Sequence, residues 1–321
     1  MLSIGQVRPD KLRRGDRLAA FLYGSTIRLF SLLGPRFTFA VFRRFMLRSY
    51  LRSRPATLIR RNIDLVYADK SAGEREELVT KVAREQVGNA AELMLQDHWR
   101  RSSLRWTRHN LDADWLQPYV RNEKPALLIL GHFAGWEANA MTLSRYFENV
   151  MGIYAPPKNP LLESYFRERR AVKGASWVYC PRDLPDMRAR IQGHLGSGGS
   201  MLYLLDAPLP GPMLPFLDRE SPTTLGPYTM AARAGIPLLP VYCGRDREGV
   251  GFWIEVQKPI YAEGRDQAAV IDFATRMNGV YSDWIRANPD QWYWTANFFR
   301  PNARWEAKRA AKAKRSKSSK G

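Results

Sequence analysis

From residue 124 onward the chain alternates short, unbroken apolar runs with longer stretches in which apolar residues return every three or four positions. The short runs fall at 126–130, 150–154, 176–180, 201–205, 238–243 and 252–258, and have the length and composition of buried strands. The amphipathic stretches fall at 137–147, 161–172, 184–194, 228–234 and 268–287 and predict helices. Their alternation predicts an α/β fold, with a central, mostly parallel sheet flanked by helices. Ligands of such sheets sit at the carboxyl ends of strands, and His132 and Asp206 each stand just past one.

Upstream, residues 56–100 read as two helices around "YADKSAGERE", with Ser71 able to cap the second ahead of Glu74. Residues 1–62 predict helices of another kind. Aromatic and aliphatic residues are mixed there with Arg28, Arg36, Arg43, Arg44, Arg48, Arg52 and Arg54. No window of about 18 apolar residues escapes a charge, so no transmembrane helix is predicted. Arg and aromatic residues interleaved on helices are the composition of a segment lying in a membrane interface. The alternative is a set of buried helices with solvated Arg faces.

Charge sharpens this division. The 321 residues carry a net +19, but residues 1–62 hold 14 Lys or Arg against Asp10 and Asp16, and residues 303–321 hold eight against Glu306. The 240 residues between them have 28 of each sign. The organisation expected is a basic, membrane-facing helical segment (1–62), a neutral α/β domain (63–302) and a basic tail (303–321), disordered at least from Lys312. A neutral body without a basic face argues against nucleic acid, although the aromatic cluster "WYWTANFF" could stack bases.

Candidate chemistry centres on "ALLILGHFAGWE", residues 126–137. In one continuous helix His132 and Glu137 would point about 140° apart. A strand ending at Gly131 and a helix opening near Trp136 break that geometry and let the two converge. A carboxylate on one imidazole nitrogen fixes the tautomer and leaves the other nitrogen free to take a proton from a hydroxyl. The other histidines, His98, His109 and His194, lack a strand end with a nearby acid. Cys180 and Cys243 are isolated, so neither a metal site nor a disulfide is expected, and a reducing compartment is. Residues 1–17 have no apolar core of a secretory signal. "GHLGSGGSM" follows a helix and precedes a strand, the reverse of the order in a phosphate-cradling loop, and no G-x-S-x-G occurs.

"GHFAGWE" resembles the HxxxxE motif of the lysophospholipid acyltransferase superfamily, and the chain resembles that superfamily's bacterial lipid A biosynthesis branch, the late acyltransferases. The similarity runs through "LIRRNIDLVYADKSAGER", "YAPPKNPLLESYFRERR", "LLDAP", "PFLDRESPTTLGPYTMAARAGIPLLPVY" and "NPDQWYW" in order. The resemblance implies O-acyl transfer from a thioester on acyl carrier protein or coenzyme A to a hydroxyl of a membrane glycolipid, without a further cofactor, at the cytoplasmic face of the bacterial inner membrane. By it His132 is the general base, Glu137 orients it, and Arg167, Arg170, Arg182, Asn159 and Asp206 contact substrate. Ala155 stands where the branch usually has Arg, and 295–299 lack its usual basic run. Another lipid or pigment acceptor, N-acylation, and a catalytically silent membrane-bound interaction protein are the alternatives.

Overall fold

A computed structural model describes residues 14–300 apart from 155–156, 158, 171–174, 180–183 and 247–249. Arg182, Ala155 and the tail at 303–321 therefore lie outside the described residues. Five helices come first: α1 (Arg14–Leu33), α2 (Pro35–Tyr50), α3 (Arg54–Val66), α4 (Ala72–Leu93) and the short α5 (Gln96–Ser102). Ser71 and Glu74 form the expected capping box at the start of α4. The α/β part follows as β1 (Thr107–His109), α6 (Gln117–Val120), β2 (Leu127–Leu130), α7 (Trp136–Tyr146), β3 (Val150–Tyr154), α8 (Pro160–Arg170), β4 (Ala175–Tyr179), α9 (Leu184–Gly196) and β5 (Ser200–Leu204). The chain continues through β6 (Met213–Phe216), β7 (Arg219–Pro222), α10 (Gly226–Ala234), β8 (Leu238–Arg245), β9 (Phe252–Val256) and α11 (Gln267–Ala287).

Seven strands form one sheet in the order β1-β9-β8-β2-β5-β3-β4, parallel at every pairing except β8 with β9. The α/β architecture is thus the expected one. β2 lies near the middle, is buried along its whole length and reads Leu-Leu-Ile-Leu, as a strand covered on both faces must. α7 packs between β8 and β9 and the helices α4 and α5, which is why every residue from Glu137 to Ser144 is buried.

Two features have no counterpart among the expected elements. β1 adds three residues to the far edge, parallel to β9. β6 and β7 form a separate hairpin whose turn residues Leu217 and Asp218 both have positive φ, 52° and 59°. Such a turn usually announces itself by Asn-Gly or Asp-Gly, and this one does not.

The N-terminal pair is bent by 117°, with Gly34 at φ 81° between α1 and α2. Among the described residues no single helix is long and apolar enough to cross a membrane. The inner side of the pair is packed: Ile27 and Phe39 are buried, and Tyr23 meets Tyr165 and Phe166 of α8. The outer side is apolar as well. Leu18, Phe21, Leu22, Leu29 and Leu32 recur along one exposed face of α1, Leu32 at 85% exposure, and Phe45 on α2 is 73% exposed.

Candidate active site

β2 and β5 are parallel neighbours with Leu130 opposite Leu204. Two residues beyond each lie His132 and Asp206, so the pairing register alone brings them side by side. Asp206 Oδ1 lies 2.7 Å from His132 Nδ1, and its Oδ2 accepts from the His132 backbone N–H at 2.6 Å and from Trp292 Nε1 at 2.8 Å. The Asp206 side chain is 1% exposed and that of His132 28%. A buried carboxylate thus has three donors, while the imidazole keeps one edge open.

The electrostatics follow from that geometry. Burial alone would raise the Asp206 pKa, but the His132 charge and the hydrogen bonds from His132 and Trp292 overcome it and hold it below the usual carboxylate range. For His132, burial opposes protonation, and the Asp206 charge and hydrogen bond outweigh it, so its pKa is raised. With Nδ1–H donating to Asp206, the Nε2 lone pair is available to accept a proton. The rings of Trp136 and Tyr293 flank the imidazole, each with its centroid 5.7 Å away.

The loop that carries His132 tolerates little change. A Cβ on Gly131 would meet the Phe133 ring at 2.7 Å and Asp206 Oδ2 at 3.2 Å. Gly135, at φ 77°, turns the chain into α7, where a Cβ would meet Phe252 at 2.5 Å. The first amides of α7 are satisfied from below: Gly135 N donates to Asn89 Oδ1 and Ala138 N to Glu92 Oε1. Both acceptors are gripped by Arg245, whose side chain is fully buried and also pairs with Glu85. The closing segment locks the other side, with Ala134 N donating to Gln291 O and Gln291 exchanging hydrogen bonds with the Arg245 backbone. Tyr281 ties the strand ends together, donating to Leu130 O at 2.6 Å while accepting from Leu205 N at 3.3 Å.

One expected partnership is replaced. The acid that contacts His132 is Asp206 rather than Glu137, whose Oε1 instead accepts from Arg170 Nη2. The reason is geometric: Asp206 arrives in register with His132, whereas Glu137 sits on the first turn of α7 within reach of Arg170 on α8. Arg170 also lies against the rings of Tyr154 and Phe166, at 5.1 and 5.6 Å. Arg167, one turn earlier, is half-buried and close enough to Tyr154 to act on its hydroxyl electrostatically. Asn159 holds the start of α8. Its Oδ1 caps α8 through Leu161 N and Leu162 N, and its Nδ2 donates to Asp16 O.

Sequence reasoning missed Trp292, Tyr281 and the Arg245 cluster. "NPDQWYW" marked the segment of Trp292, but its indole aims at Asp206 only because Phe133 bridges to Trp292. The "RRN" segment, Arg60 to Asn62, is similarly explained. Asn62 donates to Trp294 O and Ala296 O, and Arg61 to Asn297.

The sequence also matches known proteins. Residues 10–301 match the family described as bacterial lipid A biosynthesis acyltransferase. The chain is 26% identical over 253 residues to the lipid A biosynthesis lauroyltransferase of Escherichia coli K12, covering 77% of this chain and 79% of that protein. It is 24% identical over 259 residues to a lipid A biosynthesis acyltransferase of Haemophilus influenzae, covering 77% and 78%.

Proposed function

The chain belongs to the bacterial lipid A biosynthesis acyltransferase family and is an acyltransferase; on that premise we propose that His132 is its general base, Asp206 the group that orients it, and a hydroxyl of a lipid A-type glycolipid its acceptor. The observation that carries the reading is the contact between His132 Nδ1 and Asp206 at the carboxyl ends of two adjacent parallel strands. It leaves Nε2 to receive the acceptor proton. The hydroxyl oxygen then forms its bond to the thioester carbonyl carbon, the carbon–sulfur bond breaks, and the departing thiolate takes the proton from Nε2. The products are an ester and a free thiol.

Negative charge gathers on the carbonyl oxygen during that exchange and needs a cation or donors nearby. Arg170, held by Glu137 and by two aromatic rings, is the group we assign to it. Arg167 and Arg182 are assigned to phosphates of the substrates. The donor is an acyl thioester of acyl carrier protein or coenzyme A, and the surplus of positive charge on residues 1–62 favours an acidic carrier. The exposed apolar face of α1 and α2, flanked by the exposed Arg44 and Arg48, supports a peripheral position on the cytoplasmic face of the inner membrane.

The test is transfer of a labelled acyl chain to vesicle-borne acceptor, read by mass spectrometry. His132→Ala is expected to lose about 10²–10⁴-fold in turnover. Turnover at the native rate in that variant rejects the proposal.

A further inference from the structure

A cleft of about 430 Å³ opens between α1 and α5, and none of the residues assigned to catalysis lines it. Arg28, Ser31 and Leu32 line it from α1, and Asp97, His98, Arg101 and Ser102 from α5. On both helices the spacing is three and four residues, so one row from each faces the other across the cleft. Two polar atoms in the wall, Ser31 Oγ and His98 Nε2, are shielded from water and have no hydrogen-bond partner. Shielded polar atoms in folded proteins are nearly always paired, so these two leave hydrogen-bonding capacity on the cleft wall for a ligand. Arg28 and Arg101 are exposed, and neither makes a hydrogen bond or ion pair among the described residues. Asp97, the acid on this wall, already has a partner of its own.

Two open guanidinium groups lining one cleft with a hydroxyl and an imidazole match a tetrahedral oxyanion carrying two charges. The rim says what the anion is attached to. Leu32 is 85% exposed at the cleft, and Leu29 beside it is 55% exposed. They continue into the outward apolar face of α1, so a free inorganic ion would leave this face in water. We propose that the α1–α5 cleft binds the phosphate monoester headgroup of a membrane lipid, anchoring the chain at a lipid of that class. The proposal rests on the membrane-facing placement of α1 and α2 given above, and it is independent of the chemistry at His132.

Flotation of the full chain with phosphatidylcholine vesicles tests it. One set contains phosphatidate, whose headgroup is a phosphate monoester. The other contains phosphatidylglycerol, a diester, adjusted to the same surface charge. The native chain is expected to bind the phosphatidate vesicles severalfold better. Arg28→Gln with Arg101→Gln should bring the two to parity, while Arg44→Gln with Arg48→Gln removes the same charge and should weaken both equally. Ser31→Ala, a mild change that spares the fold, should reduce the preference without abolishing it. Acyl transfer and melting temperature, measured on every variant, report whether the fold and the His132 site are intact. Equal native binding to both vesicles, or a preference that survives loss of both arginines, overturns the cleft proposal alone. Binding to neither vesicle overturns the membrane reading with it. Inorganic phosphate that binds the vesicle-free chain and erases the preference at the same concentration overturns the lipid source.

Discussion

Two ion pairs five residues apart in their first members, His132–Asp206 and Glu137–Arg170, are built on different principles. Asp206 is fixed by a backbone amide, an indole and the strand register, and its partner follows a strand end directly. Glu137 and Arg170 meet through two flexible side chains from two helices, and Arg170 rests on aromatic faces that hold it without directional bonds. The first arrangement determines which imidazole nitrogen carries the proton. The second determines only that a cation is present. The difference teaches that orientation of the imidazole is written into the sheet, whereas the cation depends on where side chains from α7 and α8 meet.

The sharpest way to break the comparison is Asp206→Asn. An amide in place of the carboxylate can donate to Nδ1 and drive the imidazole proton to Nε2, the wrong tautomer for a base. The loss of turnover should approach that of His132→Ala, up to about 10⁴-fold as seen where a triad aspartate is replaced this way. The native pH profile should show its acidic limb above the ordinary imidazole value of about 6.5, because the pKa of His132 is raised, and the residual activity of Asp206→Asn should titrate below it. Stability follows in sign. The raised His132 stabilises the fold fully below about pH 6.5 and loses that contribution as pH rises through its folded pKa; the lowered Asp206 contributes above about pH 3.9 and loses it as pH falls. The gap in melting temperature between native and Asp206→Asn protein should therefore be widest between those two values.

Glu137→Gln should cost less, no more than about 10²-fold, the low end for one electrostatic contact, and should leave the acidic limb in place. A shifted limb in Glu137→Gln with an unshifted one in Asp206→Asn would exchange the two roles. The smallest effect is expected from Tyr281→Phe, which frees Leu130 O and Leu205 N without touching either pair. It should lower stability by about 1 kcal/mol and turnover only slightly, as a thermal melt and a rate assay would show.

His132 was legible in the sequence because an apolar run ends two residues before it, at Leu130. Asp206 was legible as an acid past a strand end, yet its partner was not. No periodicity says which strands become neighbours, and β2 meets β5 across β3 and β4. The helical spacing of His132 and Glu137 calls for a break if the two are to converge, and a break is present without convergence. Gly135, at φ 77°, supplies the break, but Glu137 meets Arg170 of α8. The hairpin at Met213–Pro222 escaped notice because Pro215 lies inside one strand and Leu217-Asp218 makes its turn. Three residues of β1 are too few for any pattern.

The register that joins Leu130 to Leu204 also has a kinetic consequence. His132 and Asp206 are 74 residues apart in sequence, so their encounter requires a long-range closure that is slow compared with helix formation. During refolding, helical signal should return first and acyl transfer only once β2 and β5 have paired. A slip of one residue between those strands would present the wrong faces to each other and leave a compact but inactive molecule. Recovery of activity is then a clock for a single strand pairing, read in the turnover of substrate.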